Sequence, residues 1–320
     1  MNIIMMGTGG YAVPTFRALY ETNHAVAALF TRPETAKRSR RQLPPNLMRE
    51  LAEQQGTTVY DPKDVNSAQA QEVLRSTSPD LLIVCDYGQL LNSEILGLAR
   101  HGGFNLHASL LPKYRGAAPI NWAIYHSETQ TGNTVIHMTP QIDGGPCVAQ
   151  ETIDIDPEET AVDLEARLAE SGARLVITAV EQLEAGTLKE IPQDKRQVTR
   201  APKLTKSDGI VDWSRSARQI RDQVRAMQPW PKTFTNWLRP DNDPVRMILD
   251  KVRVPEETTD EPPGAVVVVE KRKLVVATGD GLLDIQQLQP SGKRSISVEE
   301  FLRGYRVRPG DTLGTPVGTG

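Results

Sequence analysis

Cysteine is nearly absent: Cys85 and Cys147 are the only two in 320 residues. They form no Cys-x-x-Cys pair, so the chain encodes neither a disulfide framework nor a thiolate metal cage. His-Glu-x-x-His is missing too, and no metal site is expected. No apolar run approaches the length that spans a bilayer; the five-residue run Ala265 to Val269 reads as a strand. The opening residues Met1–Gly7 lack a basic n-region, so no secretory signal is expected. An overall positive charge is lacking as well. The net of −3 excludes a uniformly basic nucleic-acid binder but leaves room for a local basic patch. Together these absences point to a protein of the reducing cytoplasm, without membrane or metal. What is present is ordinary for a globular chain, 38% hydrophobic and 24% charged, enough for one large domain or two smaller ones.

The first half alternates strand and helix signals. Asn2–Met6, Ala25–Phe30, Asp80–Cys85 and Gly103–His107 read as strands, Tyr11–Tyr20 and Leu47–Gln54 as helices. Leu81-Leu82-Ile83-Val84 has no polar alternation, as expected of a strand covered on both faces. Such βαβ alternation implies a Rossmann-like α/β domain with a mostly parallel sheet, whose ligands lie beyond the strands' C-terminal ends. Thr160–Leu183 carries the longest helical period. Gly186–Lys206 has scattered charge and no sustained period. We take 1–187 as the catalytic domain, 188–207 as a linker and 208–320 as a second domain. There Ser216–Met227 reads as a helix, and short strands at Thr233–Trp237, Arg246–Leu249, Ala265–Val269, Leu274–Ala277 and Leu282–Leu288 predict a small OB-like β-barrel.

Two motifs compete for the first domain. Gly7-Thr8-Gly9-Gly10-Tyr11-Ala12 satisfies the G-x-G-x-x-A dinucleotide fingerprint between a strand and a helix. The fingerprint also wants an acid at the end of the second strand for the ribose, and the chain there reads Phe30-Thr31-Arg32-Pro33. Arg32 suits a 2′-phosphate, so an NAD(P)-dependent oxidoreductase stays open on this motif alone, beside a plain tight turn. The second motif is Phe104-Asn105-Leu106-His107-Ala108-Ser109-Leu110-Leu111-Pro112-Lys113-Tyr114-Arg115-Gly116. Asn105 and His107 share one face of their strand because side chains repeat every two residues. A carboxamide donor beside an imidazole can hold an oxyanion and manage a proton. Asp143, in Gln141-Ile142-Asp143-Gly144-Gly145 after the strand Thr134–Met138, sits on a glycine-rich turn that lets a carboxylate come close. Spacing alone also fits a strand end with two satisfied polar groups.

Asn-x-His, then Ser-Leu-Leu-Pro-x-Tyr-Arg-Gly, then Asp-x-Gly resembles the active site of the folate-dependent formyltransferases in order and spacing. The resemblance implies Asn105, His107 and Asp143 as the catalytic trio and 10-formyltetrahydrofolate as formyl donor. It implies that Ser109, Leu110, Leu111 and Pro112 contact the folate, and that Tyr87, Gly88, Gln89 and Leu90 line its pterin pocket. Asp86 and Gly144 depart from the family pattern, which commonly has a small apolar residue and a threonine there.

The acceptor is narrowed by Gly116-Ala117-Ala118-Pro119-Ile120, Val211-Asp212-Trp213, Ala226-Met227-Gln228-Pro229-Trp230-Pro231 and Phe301-Leu302-Arg303-Gly304. These resemble the family members that act on initiator methionyl-tRNA, with amino-sugar nucleotide formyltransferases as the alternative. Charge is segregated accordingly. Arg32–Arg49 holds six basic residues and one acid, and Lys195–Arg246 holds twelve and five. A tRNA would be gripped through its phosphates. Arg38, Arg40 and Arg41, on a long loop at the sheet's active edge, and Lys203 and Lys206 are the expected contacts. A monomer is expected.

Overall fold

The computed structural model describes residues 1–33, 46–239 and 242–315. They fall into two compact units. The first comprises residues 1–119, 130–154 and 163–202; the second comprises 120–129, 155–162 and the chain from 203 onward.

The first unit is built on strands β1 (Asn2–Gly7), β2 (Ala25–Phe30), β3 (Thr58–Tyr60), β4 (Leu81–Cys85), β5 (Gly103–His107), a two-residue β6 (Arg115–Gly116), β7 (Gln130–His137) and β8 (Cys147–Asp154). The main sheet runs β3-β2-β1-β4-β5-β7-β8. It is parallel as far as β5 and antiparallel from β5 to β7 and β8, the Rossmann-like arrangement that the alternating pattern implied. Every residue of β4 is buried, which is why its sequence carries no polar alternation.

Helices α1 (Val13–Tyr20), α2 (Leu47–Gln54), α3 (Ala68–Thr77) and α4 (Ser93–Leu96) follow the first strands. Asn46 and Ser67 cap α2 and α3 by accepting from Arg49 N and Ala70 N. The expected helix over Tyr11–Tyr20 starts at Val13 instead. Residues Gly10–Ala12 form a tighter 3-10 turn, and Pro14 takes the first turn of α1, where its missing N–H costs least. After α5 (Pro119–Tyr125), most of which belongs to the second unit, α6 (Ala161–Glu184) supplies the longest helix, from Asp163 onward part of the first.

Much of the stretch read as a linker is bound into the first unit. Ile191 and Cys147 exchange two backbone hydrogen bonds of 2.8 Å. A short β9 (Arg200–Ala201) pairs in parallel with β6. Backbone pairing asks for no side-chain period, so such a stretch reads as irregular.

The second unit holds α7 (Ala217–Ala226), β10 (Thr233–Arg239), β11 (Asn242–Arg253), β12 (Val266–Glu270), β13 (Lys273–Ala277), β14 (Leu282–Pro290), β15 (Ile296–Ser297), α8 (Val298–Gly304) and β16 (Thr312–Gly314). Its antiparallel sheet runs β12-β13-β14-β11-β10-β16, and the bridge Ala265–Thr312 brings the two ends together, curling it into a small barrel-like form. Trp213, Ile220, Trp237, Leu283 and Phe301 fill its core. Both indoles keep their N–H satisfied: Trp213 donates to Thr235 Oγ1 and Trp237 to Asp311 Oδ2, each at 3.0 Å.

Candidate active site

The parallel strands β4 and β5 lie side by side, so the segments after their C-terminal ends, Asp86–Leu90 and Ala108–Pro112, leave the same sheet edge together. That edge is where an open α/β sheet takes its ligand. Asn105 and His107 lie within the last three residues of β5, on one face, opposite Ile136 and Thr134 of β7. Asn105 is half-buried. Among the described residues its carboxamide has no hydrogen-bond partner.

His107 is 6% exposed. Its Nε2 lies 2.9 Å from the carbonyl oxygen of Tyr114. A carbonyl only accepts, so Nε2 carries the hydrogen and Nδ1 is the nitrogen that can take up or give a proton. Nδ1 faces Asp143 Oδ1 at 3.7 Å. The other carboxylate oxygen, Oδ2, accepts from Gly116 N at 2.8 Å. The structure thus brings the three expected residues into one sheet-edge cluster in which Asn105 and Nδ1 of His107 are uncommitted.

The frame around this cluster comes from residues to which the sequence assigned no role. Tyr114 has a left-handed backbone, φ 61°. Its N–H donates to Thr199 Oγ1 at 2.8 Å, and Arg115 N donates to Thr199 O at 3.0 Å. Those bonds turn the Tyr114 carbonyl toward His107. Gly116 has φ 131°, and a Cβ there would lie 2.4 Å from Ala201 O. Only glycine lets β6 approach β9 and keep its N–H on Asp143. Gln193 joins the Asp143 loop to Arg115 through four hydrogen bonds. The Arg-Gly of the long motif was a visible signal. Thr199 and Gln193, from an aperiodic stretch, gave none.

The loop after β5 is held rigidly. Ser109 is fully buried, its hydroxyl donating to Lys113 O at 2.7 Å. Thr134 Oγ1 donates to Ser109 O at 2.6 Å and accepts from Leu111 N at 3.1 Å; Gln150 Nε2 donates to Leu111 O at 3.0 Å. Leu111 is buried, while Leu110 and Pro112 keep partial exposure and offer surface to a ligand. In the neighbouring segment Tyr87 is buried, and its hydroxyl has no partner among the described residues. Burial pushes that phenol well up. Gln89 spends its amide on Val65 N and Pro62 O, and Leu90 is 67% exposed.

The glycine fingerprint is occupied by the protein itself. A Cβ on Gly9 would fall 1.6 Å from Asp86 Oδ2, so the turn after β1 is packed against a carboxylate. Burial raises the Asp86 carboxyl, with Arg32 pulling it the other way. A carboxylate at this turn opposes the pyrophosphate that the fingerprint would cradle. Among the described residues no three His, Cys, Asp or Glu side chains are grouped as a metal would require. Nor is any described helix long and apolar enough to cross a membrane.

Of the expected phosphate contacts, Lys203 and Lys206 are exposed. Arg38, Arg40 and Arg41 lie outside the described residues. Part of the basic charge of the Lys195–Arg246 segment is used structurally. Arg225 is 8% exposed and donates to the carbonyls of Asp156 and Glu159. Arg221 pairs with Asp222 at 2.9 Å, Lys232 with Asp250 at 3.0 Å, and Arg215 donates to the Tyr125 hydroxyl at 2.6 Å.

Comparison with known proteins narrows what such an arrangement does. The family model described as Formyl transferase matches residues 1–180, and that described as Formyl transferase, C-terminal domain, matches residues 203–306. A methionyl-tRNA formyltransferase of Rhodopirellula baltica is 40% identical, covering 99% of this chain and 97% of its own. That of Geobacter metallireducens is 38% identical, covering 98% and 99%. Among solved structures, the sugar 3N-formyl transferase WlaRD, determined in the presence of dTDP and 5-N-formyl-THF, shares the fold with a TM-score of 0.65. It is 16% identical and covers 92% of this chain and 99% of its own.

Proposed function

The chain belongs to the formyl transferase family, and from that premise we propose how its residues work: the reaction is transfer of the formyl group of 10-formyltetrahydrofolate to the amino group of methionyl-tRNA, and Asn105, His107 and Asp143 carry it. The single observation that carries the assignment of residues is the sheet-edge cluster, with Nδ1 of His107 turned to Asp143 at 3.7 Å and the Asn105 carboxamide unspent.

The folate fits the two adjoining loops. A pterin needs apolar contact on its faces and backbone groups along its edges. Leu110, Pro112 and Leu90 offer the first, and the backbone of Gly88 and Gln89 the second, since the Gln89 side chain is already bonded. Ser109 and Leu111 serve by holding the loop in shape, and the orphaned hydroxyl of Tyr87 is a further group for a ligand to satisfy.

The amine attacks the formyl carbon, and the new C–N bond turns the formyl oxygen into an oxyanion. Asn105 Nδ2 donates to that oxygen, and a proton on His107 Nδ1 adds a second stabilising charge. The Tyr114 carbonyl, by occupying Nε2, ensures that this proton exchanges only on the Asp143 side. Asp143 accepts the proton released by the attacking amine. When the bond from the formyl carbon to the folate nitrogen breaks, that nitrogen takes up a proton, so one proton passes from amine to tetrahydrofolate and none is gained or lost.

The tRNA is held through phosphates by Lys203, Lys206 and the basic stretch that includes Arg38, Arg40 and Arg41. The barrel, taken as 208–320, adds to that grip. One chain carries the whole trio, which suits a monomer, and two free thiols suit the reducing cytoplasm.

The deciding experiment offers the protein 10-formyltetrahydrofolate with either methionyl-tRNA or a nucleotide-linked amino sugar. Formylation of methionyl-tRNA is expected. Formylation of the sugar alone would overturn the acceptor, and no formylation of either would overturn the reading.

A further inference from the structure

Gln193 sits where no catalytic group is expected, yet every polar atom of its side chain is engaged. Nε2 donates to Asp143 O at 2.8 Å and to Gly145 O at 2.7 Å. Oε1 accepts from Arg115 Nε at 3.1 Å and from its Nη2 at 2.7 Å. The amide has only one possible orientation, because carbonyls cannot donate and a guanidinium cannot accept. Arg115 is 4% exposed, and among the described residues its guanidinium makes no ion pair with a carboxylate. Its buried charge is therefore directed into the Gln193 amide. A charged donor on Oε1 polarises the amide and strengthens both bonds made by Nε2.

Those two bonds span a turn that needs them. Asp143 has a left-handed backbone, φ 48°, a conformation that a non-glycine residue holds only when its surroundings fix it. Gly116 N secures the side chain of Asp143, and Gly144 N donates to Gln141 O at 3.1 Å, but the carbonyl of the peptide that follows Asp143 takes its bond from Gln193. Gln193 clamps that peptide and the one two residues on. A shift of the turn moves Oδ1 away from the Nδ1 of His107, and proton transfer over such a gap is steeply sensitive to position.

We propose that Gln193, polarised by Arg115, is a positioning residue that fixes the Asp143 turn at its working distance from His107. The proposal rests on Asp143 being the proton acceptor. It assigns a role in the reaction to a residue that touches neither substrate nor reacting atoms.

The test uses Gln193→Glu and Gln193→Met in the full-length protein, with Asp143→Asn as the reference background. The carboxylate of Gln193→Glu keeps a partner for Arg115 and nearly the same volume but loses both donors to the turn. Gln193→Met keeps the volume and loses all four bonds. Formylation of methionyl-tRNA is measured for each, with KM for both substrates and thermal midpoints. Both variants should lower kcat about tenfold or more while either KM changes less than about threefold, the split expected when ground-state binding is intact. In the Asp143→Asn background the same substitutions should change kcat less than about twofold, because the group they position is gone. Full kcat in Gln193→Glu and Gln193→Met, with Asp143→Asn impaired, overturns the proposal. So does an equal loss in both backgrounds, which would mean a general structural role. Near-normal turnover of Asp143→Asn itself is a different outcome: it overturns the assignment of Asp143, and the proposal with it. Should Gln193→Met fail to fold, Gln193→Glu alone decides.

Discussion

The two sides of the cluster are held in place by different physics. Asn105 and His107 stand on β5, a regular strand clamped by β4 on one side and β7 on the other, and the sheet ladder fixes their direction. Asp143 stands on an irregular turn with φ 48°, closed by Gly144 N donating to Gln141 O and held from outside by hydrogen bonds from Gly116 and Gln193. The strand side draws its rigidity from a cooperative sheet. The turn side owes it to a few residues brought from far along the chain, so it should yield first, and to smaller changes.

The largest expected effect lies on the strand side and is chemical. Asn105→Ala and His107→Ala should each lower kcat on the order of a hundredfold or more, with unfolding midpoints near wild type, because they remove transition-state donors and leave the ladder intact. Steady-state formylation rates check this, and near-normal turnover in either variant removes that residue from the mechanism.

On the turn side, Gly116→Ala should fail structurally. Its Cβ would meet Ala201 O at 2.4 Å and its φ of 131° is closed to alanine. A loss of about 1–3 kcal/mol is expected, read from the denaturant midpoint, together with loss of activity. A stable, active Gly116→Ala protein would mean that β6 and β9 need not approach so closely.

A smaller effect probes the contrast between the catalytic cluster and the basic surface. Lys203→Gln with Lys206→Gln should flatten the salt dependence of methionyl-tRNA binding by about two units of slope, about one per lost phosphate contact. Folate binding and kcat should stay close to wild type. Unchanged slopes would remove both lysines from the interface.

The smallest effect concerns Asp86. Burial raises its carboxyl, so the folded protein binds a proton there more readily than the unfolded chain. Stability from this group is therefore greatest at low pH and declines as pH rises above the ordinary aspartate value of about 3.9. Asp86→Asn should raise the thermal midpoint slightly at pH 7, and the advantage should shrink toward pH 4. An advantage that grows on acidification would contradict the burial of this carboxyl.

How much could be read in the residues follows the same division. The uniform apolar run Leu81–Val84 announced a covered central strand, and the period-two spacing of Asn105 and His107 put them on one face. Both are local signals. The resemblance to the family carried Asp143, but the bonds that hold it come from Gln193, fifty residues on, and from Gly116. No periodicity encodes a bond between distant loops. The stretch 188–207 looked like a linker because its order comes from backbone pairing with Cys147 and β6. The charge of Lys195–Arg246 marked a basic segment for phosphate contact, yet Arg221, Arg225 and Lys232 are committed to partners inside the second unit. A count of charges cannot distinguish a buried arginine from a free one.

The central claim is that the strand side and the turn side act as one proton-handling unit. The most direct test is the rate of methionyl-tRNA formylation by His107→Ala, Asp143→Asn and the double variant, each at saturating 10-formyltetrahydrofolate. If the two residues work together, the double variant is about as slow as the slower single one, because the unit is already broken. Losses that multiply, so that two hundredfold defects become on the order of ten-thousandfold, would show independent contributions and contradict the account.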